Sequence, residues 1–198
     1  MVDLPEVTPD YFEILAVREL RKVGLEVADV RVHRRAEHAR PERGFVLEVV
    51  ASLRGPGWRK RALVACRQQG SPVGPAVIES LKGRLRDAQA EVGIVFSTTD
   101  YEPAALDVAL ASGIALLRVV DGRTAFDASG WGPAGHYPAW LPAYLAQVLD
   151  RDLAGQVRQR TLEAGQPDLI LHRLGTRAPL PGEGGSAGPA GEGSGTAT

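Results

Sequence analysis

Residues 44–69 read GFVLEVVASLRGPGWRKRALVACRQQ, and this stretch decides the fold. Two short apolar segments, residues 45–53 and 61–67, flank a basic turn that contains Pro56 and Gly57. Turn formers between two apolar runs predict a hairpin of two strands. Glu48 lies inside the first strand, where a carboxylate is costly to bury unless it has a partner. Glu48 is therefore either paired or functional.

The sequence on both sides of this hairpin alternates between helical and extended patterns. Apolar residues at spacings of three and four predict helices, and short apolar runs predict strands. We expect helices at 11–24, 75–90 and 102–112, and further strands at 25–34, 92–97 and 114–120. This order predicts an α/β fold, a mixed sheet with helices on both faces. Right-handed crossovers would make the strands around the second and third helices parallel.

The C-terminal third of the chain has a different composition. Residues 129–138 are rich in Gly, Pro and aromatics and predict a loop, and apolar spacing over 140–164 predicts a C-terminal helix packed on the core. Residues 175–198 are rich in Gly, Ala, Ser and Pro, which predicts a disordered tail. We therefore divide the chain into a folded domain at 1–128, the aromatic loop and helix at 129–174, and the tail.

Charge is distributed unevenly along the chain. The net charge is −1, but residues 31–86 hold 13 Lys and Arg against four acids. A basic segment in an otherwise acidic chain indicates a surface that faces a polyanion, or else a solvated face. No secretory signal or membrane-spanning run is visible, and the single cysteine, Cys66, excludes an internal disulfide. We expect a cytoplasmic protein without membrane contact.

Several segments together resemble the Mrr-like restriction endonuclease family, a branch of the PD-(D/E)XK nuclease fold. They are FEILAVREL, GFVLEVVA, LVACRQQ, VGPAVIESLKG, VGIVFSTTDYEPAALDVA and IALLRVVDG. The resemblance covers roughly residues 11–122. It implies a restriction-endonuclease-like sheet and a site for duplex DNA.

The resemblance also assigns the catalytic positions, and this chain departs from the family pattern at Glu48, Ala65 and Arg67. The family has an aspartate where this chain has Glu48, and a Gln-x-Lys or Glu-x-Lys motif where it has Ala65-Cys66-Arg67. Glu13 matches the family's helix-borne glutamate, so Glu48 and Glu13 would hold Mg²⁺ and Arg67 would supply a cation. Ala65 cannot ligate a metal, and Arg67 cannot give up a proton at neutral pH. The catalytic motif is therefore degenerate.

The basic hairpin turn is the best candidate for contact with nucleic acid. Cations bind phosphates without sequence preference, and an indole can stack on a base or wedge a base step. The candidates are Trp58, Arg59, Lys60 and Arg61 in the turn, together with Arg34 and Arg35 at the end of the predicted strand 25–34 and the start of the charged loop after it.

Three functions stay open from the sequence. The first is a DNA-binding Mrr-like protein with an impaired or lost nuclease centre. The second is an active Mg²⁺-dependent endonuclease that uses Glu13 and Glu48. The third is a protein-interaction scaffold, as a homodimer or with another partner, that binds through an apolar patch near residues 131–144.

The surroundings of Glu48 distinguish these functions. An open cleft shared with Glu13 favours a metal site. A closed pair with an arginine such as Arg67, or a proton shared with Glu13, favours a structural role.

Overall fold

Seven strands in the described part of the chain form one mixed sheet whose spatial order equals the chain order. The computed structural model describes residues 4–37, 44–55, 57–152 and 154–174. The elements are α1 (Pro9–Lys22), β1 (Glu26–Glu37), β2 (Phe45–Gly55), β3 (Trp58–Gln68), α2 (Pro75–Asp87), β4 (Val92–Ser97), α3 (Pro103–Ser112), β5 (Ile114–Asp121), α4 (Gly122–Ser129), β6 (Tyr144–Arg151), β7 (Val157–Thr161) and α5 (Asp168–Leu171).

Strand directions follow the type of connection. Strands β1, β2 and β3 run antiparallel, as a hairpin requires. Strands β3, β4 and β5 run parallel, because α2 and α3 cross between them. Strands β6 and β7 return to antiparallel pairing beside β5. The predicted mixed sheet and its parallel centre are confirmed.

Helices cover both faces of the sheet, as predicted. Helix α1 packs on one face, where its apolar side chains share a core with Leu47, Val49 and Cys66. Helices α2 and α3 pack on the other face, over Leu63 and Ala65. Neighbouring residues of a strand point to opposite faces, so alternate residues of β2 and β3 contribute to the two cores.

Local signals explain where α1 and α4 begin. The Thr8 hydroxyl accepts a hydrogen bond from the Tyr11 amide, and Pro9 occupies the first turn of α1, where its missing N–H costs nothing. The Asp121 carboxylate caps α4 by accepting from the Arg123 amide. The sequence patterns predict no helix between the strand at 114–120 and the loop at 129–138, so α4 was missed.

The C-terminal helix predicted over 140–164 is wrong. This segment forms strands β6 and β7, which extend the sheet, and Gly155, at φ +79°, lies in the turn between them. Six consecutive residues of β6 are buried, because it is covered on both faces. A continuous apolar run matches helical spacing as well as strand spacing, so periodicity alone could not separate the two.

Two further expectations concern the ends and the exterior of the chain. The predicted tail, 175–198, lies outside the described residues. Among the residues described, no helix has the length and apolar character needed to cross a membrane.

Candidate functional site

Glu48 lies in the middle of β2, between two neighbouring strands. Its Cα partners are Ala65 on β3 and Arg34 on β1, and none of its surface is exposed. Its neighbours Leu47 and Val49 belong to the core under α1, so the Glu48 side chain points to the opposite face, toward α2. A carboxylate at this position needs a charged partner.

That partner is Arg84 of α2. Arg84 Nε donates to Glu48 Oε2 at 3.1 Å, and Arg84 Nη2 donates to Glu48 Oε1. Two parallel bonds from a planar guanidinium make this a bidentate pair, the strongest form of charge-assisted hydrogen bond between side chains. Arg84 also donates from Nη1 to Ser80 Oγ, which fixes the guanidinium on its own helix. Both oxygens of Glu48 are thus engaged inside the protein.

The prediction of a buried acid paired with an arginine is confirmed, but Arg67 is the wrong partner. Arg67 Nε donates to Gln69 Oε1 at 3.0 Å instead. Burial lowers the pKa of the Arg67 guanidinium, and the nearby positive charge of Arg84 lowers it further, while Glu48 acts in the opposite direction. Arg67 therefore stands beside the Glu48–Arg84 pair and adds a second positive charge.

Glu13 does not converge on Glu48. Its helix, α1, packs on the other face of the sheet, against Leu47 and Cys66. Burial raises the pKa of the Cys66 thiol, and the negative charge of Glu13 raises it further. The structure therefore places the two carboxylates predicted to share a metal on opposite sides of the sheet.

The residues present do not fit a divalent metal. Magnesium requires several oxygen ligands in near-octahedral geometry. Here the oxygens of Glu48 bind Arg84, and the methyl group of Ala65 offers no ligand where the family has a Gln or Glu. Within the described ranges, no group of three or more His, Cys, Asp or Glu side chains could hold a metal ion.

Part of the predicted basic surface lies on the same face as Glu48. Opposed residues of antiparallel strands share a face, and Arg34 is opposite Glu48 while Arg61 is opposite Ser52. Arg31, opposite Val50, and Arg59, opposite Arg54, follow the same rule. Arg31, Arg59 and Arg61 line a groove of about 480 Å³, which we call the basic groove.

The other predicted contacts lie elsewhere. Lys60 pairs with Glu91 at 2.8 Å, and Arg35 pairs with Asp10 of α1. Trp58 is half-buried and packs against the core, so its ring does not stand free as a stacking platform. Alternation along β3 explains this split, because Trp58 and Lys60 point away from the side that Arg59 and Arg61 share.

The aromatic loop is partly exposed, although Trp131 packs edge-to-face on Phe126 of α4. Trp140 is 70% exposed and Trp131 is 39% exposed. Together with Pro142 and Leu145 they line an apolar groove of about 540 Å³. A protein partner at this groove stays a prediction.

Sequence reasoning missed Arg84 and Arg31. Arg84 lies in the helix predicted over 75–90, which carries no predicted site residue. It follows Leu81 by three positions, so helical spacing places it beside the buried stripe that contains Ile78 and Leu81. That position was the available signal for a cation facing the sheet. Arg31 lay in the predicted β1, but its face could not be assigned without the strand register.

Comparison with known families agrees with this architecture. A family model described as restriction endonuclease, the Mrr catalytic domain, matches residues 4–124. The match runs from the segment before α1 into the first turn of α4, so β6 and β7 lie beyond it. No curated protein matches the chain. Since the family model covers more than half of the sequence, the chain belongs to the Mrr-like restriction endonuclease family.

Proposed function

We propose that this protein binds duplex DNA on the face that carries Glu48 and that its metal-dependent nuclease centre is impaired or lost. Membership of a restriction endonuclease family supports a nuclease-fold protein that acts on DNA. The observation that carries the proposal is the Arg84 guanidinium on both oxygens of Glu48. It puts an internal cation where the family's metal would need free oxygen ligands.

The catalytic part of the proposal follows from the donor set. Phosphodiester hydrolysis by this fold needs a metal that lowers the pKa of a bound water and offsets charge at the phosphate. Glu48 is engaged, Ala65 carries no donor atom, and Glu13 lies across the sheet. Arg67 can offset charge, but it cannot accept a proton at neutral pH. The chain retains positive charge at the site without the means to activate water.

The binding part follows from charge. Arg31, Arg34, Arg59 and Arg61 share one face of the sheet and are exposed to solvent. Phosphate contacts of this kind give affinity that falls steeply with salt and carries no sequence information. Asp29 and Glu91 also line the basic groove and reduce its net positive charge, so we expect a modest affinity for duplex DNA.

The structure suggests a matched pair of variants. Arg59→Ala combined with Arg61→Ala removes two cations from the basic groove, whereas Lys60→Ala removes the cation between them that pairs with Glu91. Fluorescence anisotropy with a labelled duplex measures affinity at several salt concentrations. We expect the double variant to bind at least about tenfold more weakly and to reduce the salt slope by about 2, at roughly 0.9 per phosphate contact. Lys60→Ala should lose clearly less affinity than the double variant, because it frees Glu91 at the groove but leaves both arginines in place.

Two results would contradict the assignment. Unchanged affinity in the double variant would remove the basic groove from the binding surface. An equal loss in Lys60→Ala would indicate a general charge effect instead of a defined face.

A further inference from the structure

A polar cleft of about 680 Å³ opens where strands β3, β4 and β5 end. Helix α4 and strands β6 and β7 complete its walls. Its hydrogen-bonding lining consists of Gln68, Thr98, Arg118, Thr124, Gln147 and Gln159. The carboxyl ends of parallel strands are the usual place for a ligand in an open α/β sheet, and the volume falls within the usual range for ligand pockets.

Several polar groups of the cleft lack partners. In the described part of the chain, the side-chain amides of Gln68 and Gln159 make no hydrogen bond. Gln147 Nε2 donates to Thr161 Oγ1 at 3.3 Å, which leaves its carbonyl oxygen available. The Nε of Arg118 is buried without a partner among the described residues. The cleft therefore offers both donors and acceptors to a ligand.

The charges of the cleft favour a neutral ligand over a phosphate. Arg118 pairs with Asp100 at 2.6 Å, so its charge is compensated. The Asp121 carboxylate is occupied at the start of α4, where it accepts from the Arg123 amide and the Thr124 hydroxyl. Val119 contributes an apolar surface to the wall of the cleft, and Tyr144 contributes an aromatic one. A flat, uncharged ring with several donors and acceptors matches this lining.

The cleft is connected to the Glu48 face through the sheet. Arg67, Ser97, Arg118 and Gln147 are successive Cα partners across β3, β4, β5 and β6. Arg67 stands at one end of this row beside the Glu48–Arg84 pair, and Gln147 lines the cleft at the other end. DNA held at the Glu48 end of this row would therefore lie beside the cleft, whereas the basic groove lies at the opposite end of β3.

We infer that the cleft receives a nucleobase taken out of the stack of bound DNA. The inference rests on the proposed DNA binding and goes beyond it by assigning a base-binding site. Glutamine amides pair with base edges, and an extruded base is held by such contacts together with stacking on side chains. Tyr144, Gln147 and Gln159 come from β6 and β7, beyond the segment that the family model matches. These three lining residues thus lie outside the matched segment, while Gln68, Thr98, Arg118 and Thr124 lie within it.

The test compares a fully paired duplex with one that carries a single mismatch. A mismatched base costs less to extrude, so a protein with a base site binds that duplex more tightly. We expect the wild type to prefer the mismatched duplex by about tenfold, as a good amide–base pair is worth about 1–3 kcal/mol. Gln68→Ala combined with Gln159→Ala should abolish the preference and leave affinity for the paired duplex within about twofold.

Gln156→Ala is the matched control, because Gln156 lies in the turn of the same hairpin and outside the cleft lining. It should retain the wild-type preference, and unchanged melting temperatures would establish that the variants fold. Equal wild-type affinity for both duplexes, or a preference that survives in the double variant, would overturn the base site alone. Failure to bind either duplex would overturn the proposed DNA binding as well.

Discussion

Arg84 is the residue on which the interpretation of the site depends. Its guanidinium is 21% exposed, whereas the carboxylate that it binds is fully buried. A buried ion pair adds little net stability, because desolvation offsets most of the Coulomb attraction. Removing one partner is different, since it leaves an uncompensated buried charge. Arg84 therefore allows Glu48 to stay ionised and buried, because its guanidinium compensates the carboxylate charge.

Stability measurements can detect this pair directly. Arg84→Ala should lower the free energy of unfolding by about 3–5 kcal/mol, because Glu48 is left charged and unpaired in the interior. The double variant Glu48→Leu with Arg84→Met should recover most of that loss, since apolar side chains of similar volume replace the pair. Urea unfolding followed by circular dichroism gives both values. A loss below about 1 kcal/mol in Arg84→Ala would mean that the pair does not form in solution.

Residue-level partners were only partly predictable from the sequence. The position of Glu48 in an apolar strand predicted a cationic partner, because burial of an unpaired carboxylate is too costly. The identity of that cation was not available, since Arg84 lies 36 positions away on another element. Arg67 was the nearer choice along the neighbouring strand. Only the packing of α2 on the sheet decides between them.

At the scale of elements, the hairpin of β6 and β7 is built firmly into the sheet. Glu19 of α1 is fully buried, and its carboxylate accepts from Lys22 Nζ at 2.6 Å and from the Ala146 amide of β6 at 3.0 Å. The Gly122 amide at the start of α4 donates to the Ala143 carbonyl just before β6, at 2.8 Å. Elements beyond the matched family segment are thus fixed to elements inside it.

Gly122 provides an element-scale test of this close approach. A Cβ at Gly122 would lie 2.0 Å from the Pro142 carbonyl oxygen, so Gly122→Ala must displace backbone. We expect it to destabilise the protein by about 1–3 kcal/mol. Gly83→Ala is the control, because a Cβ there meets no atom within 4 Å in the middle of α2. It should stabilise by about 0.5–1 kcal/mol.

Thermal and urea unfolding measure the stability of both variants, and we expect the same Gly→Ala change to lower it at Gly122 and to raise it at Gly83. A neutral Gly122→Ala would contradict the contact between α4 and the segment before β6.

The order of elements from α1 to β5 could be predicted, whereas the C-terminal segment could not. Residues 11–122 alternate between segments with helical apolar spacing and short apolar runs, and turn residues separate these segments. The apolar spacing and the turn residues therefore predict the same element boundaries. In β6 the burial of both faces removed the alternation that marks a strand. Alternation along the strand puts Arg34 and Arg35 on opposite faces, but which of them shares the face of Glu48 depends on the strand register, and that required the structure.

Across the whole molecule, charge and chemistry divide between the two faces of the sheet. The basic groove, the Glu48–Arg84 pair and Arg67 share the face toward α2 and α3, and the polar cleft opens at the carboxyl ends of β3, β4 and β5. Glu13 lies on α1 across the sheet. Four cations of residues 31–86 (Arg31, Arg34, Arg59 and Arg61) are exposed on this face, where a polyanion could contact them. The features that the proposed function uses, namely the basic groove, the Glu48–Arg84 pair and Arg67, therefore lie on one face of the sheet.

The central proposal is that the protein binds duplex DNA on the face that carries Glu48 and that its nuclease centre is impaired or lost. Incubation of supercoiled plasmid with the protein, in Mg²⁺ and in Mn²⁺, tests both halves in one native gel. Half of each sample is treated with protease before loading. We predict retarded plasmid in the untreated lanes and intact supercoiled plasmid after protease treatment. Nicked or linear plasmid that disappears when Glu48→Ala replaces the wild type would contradict the claim.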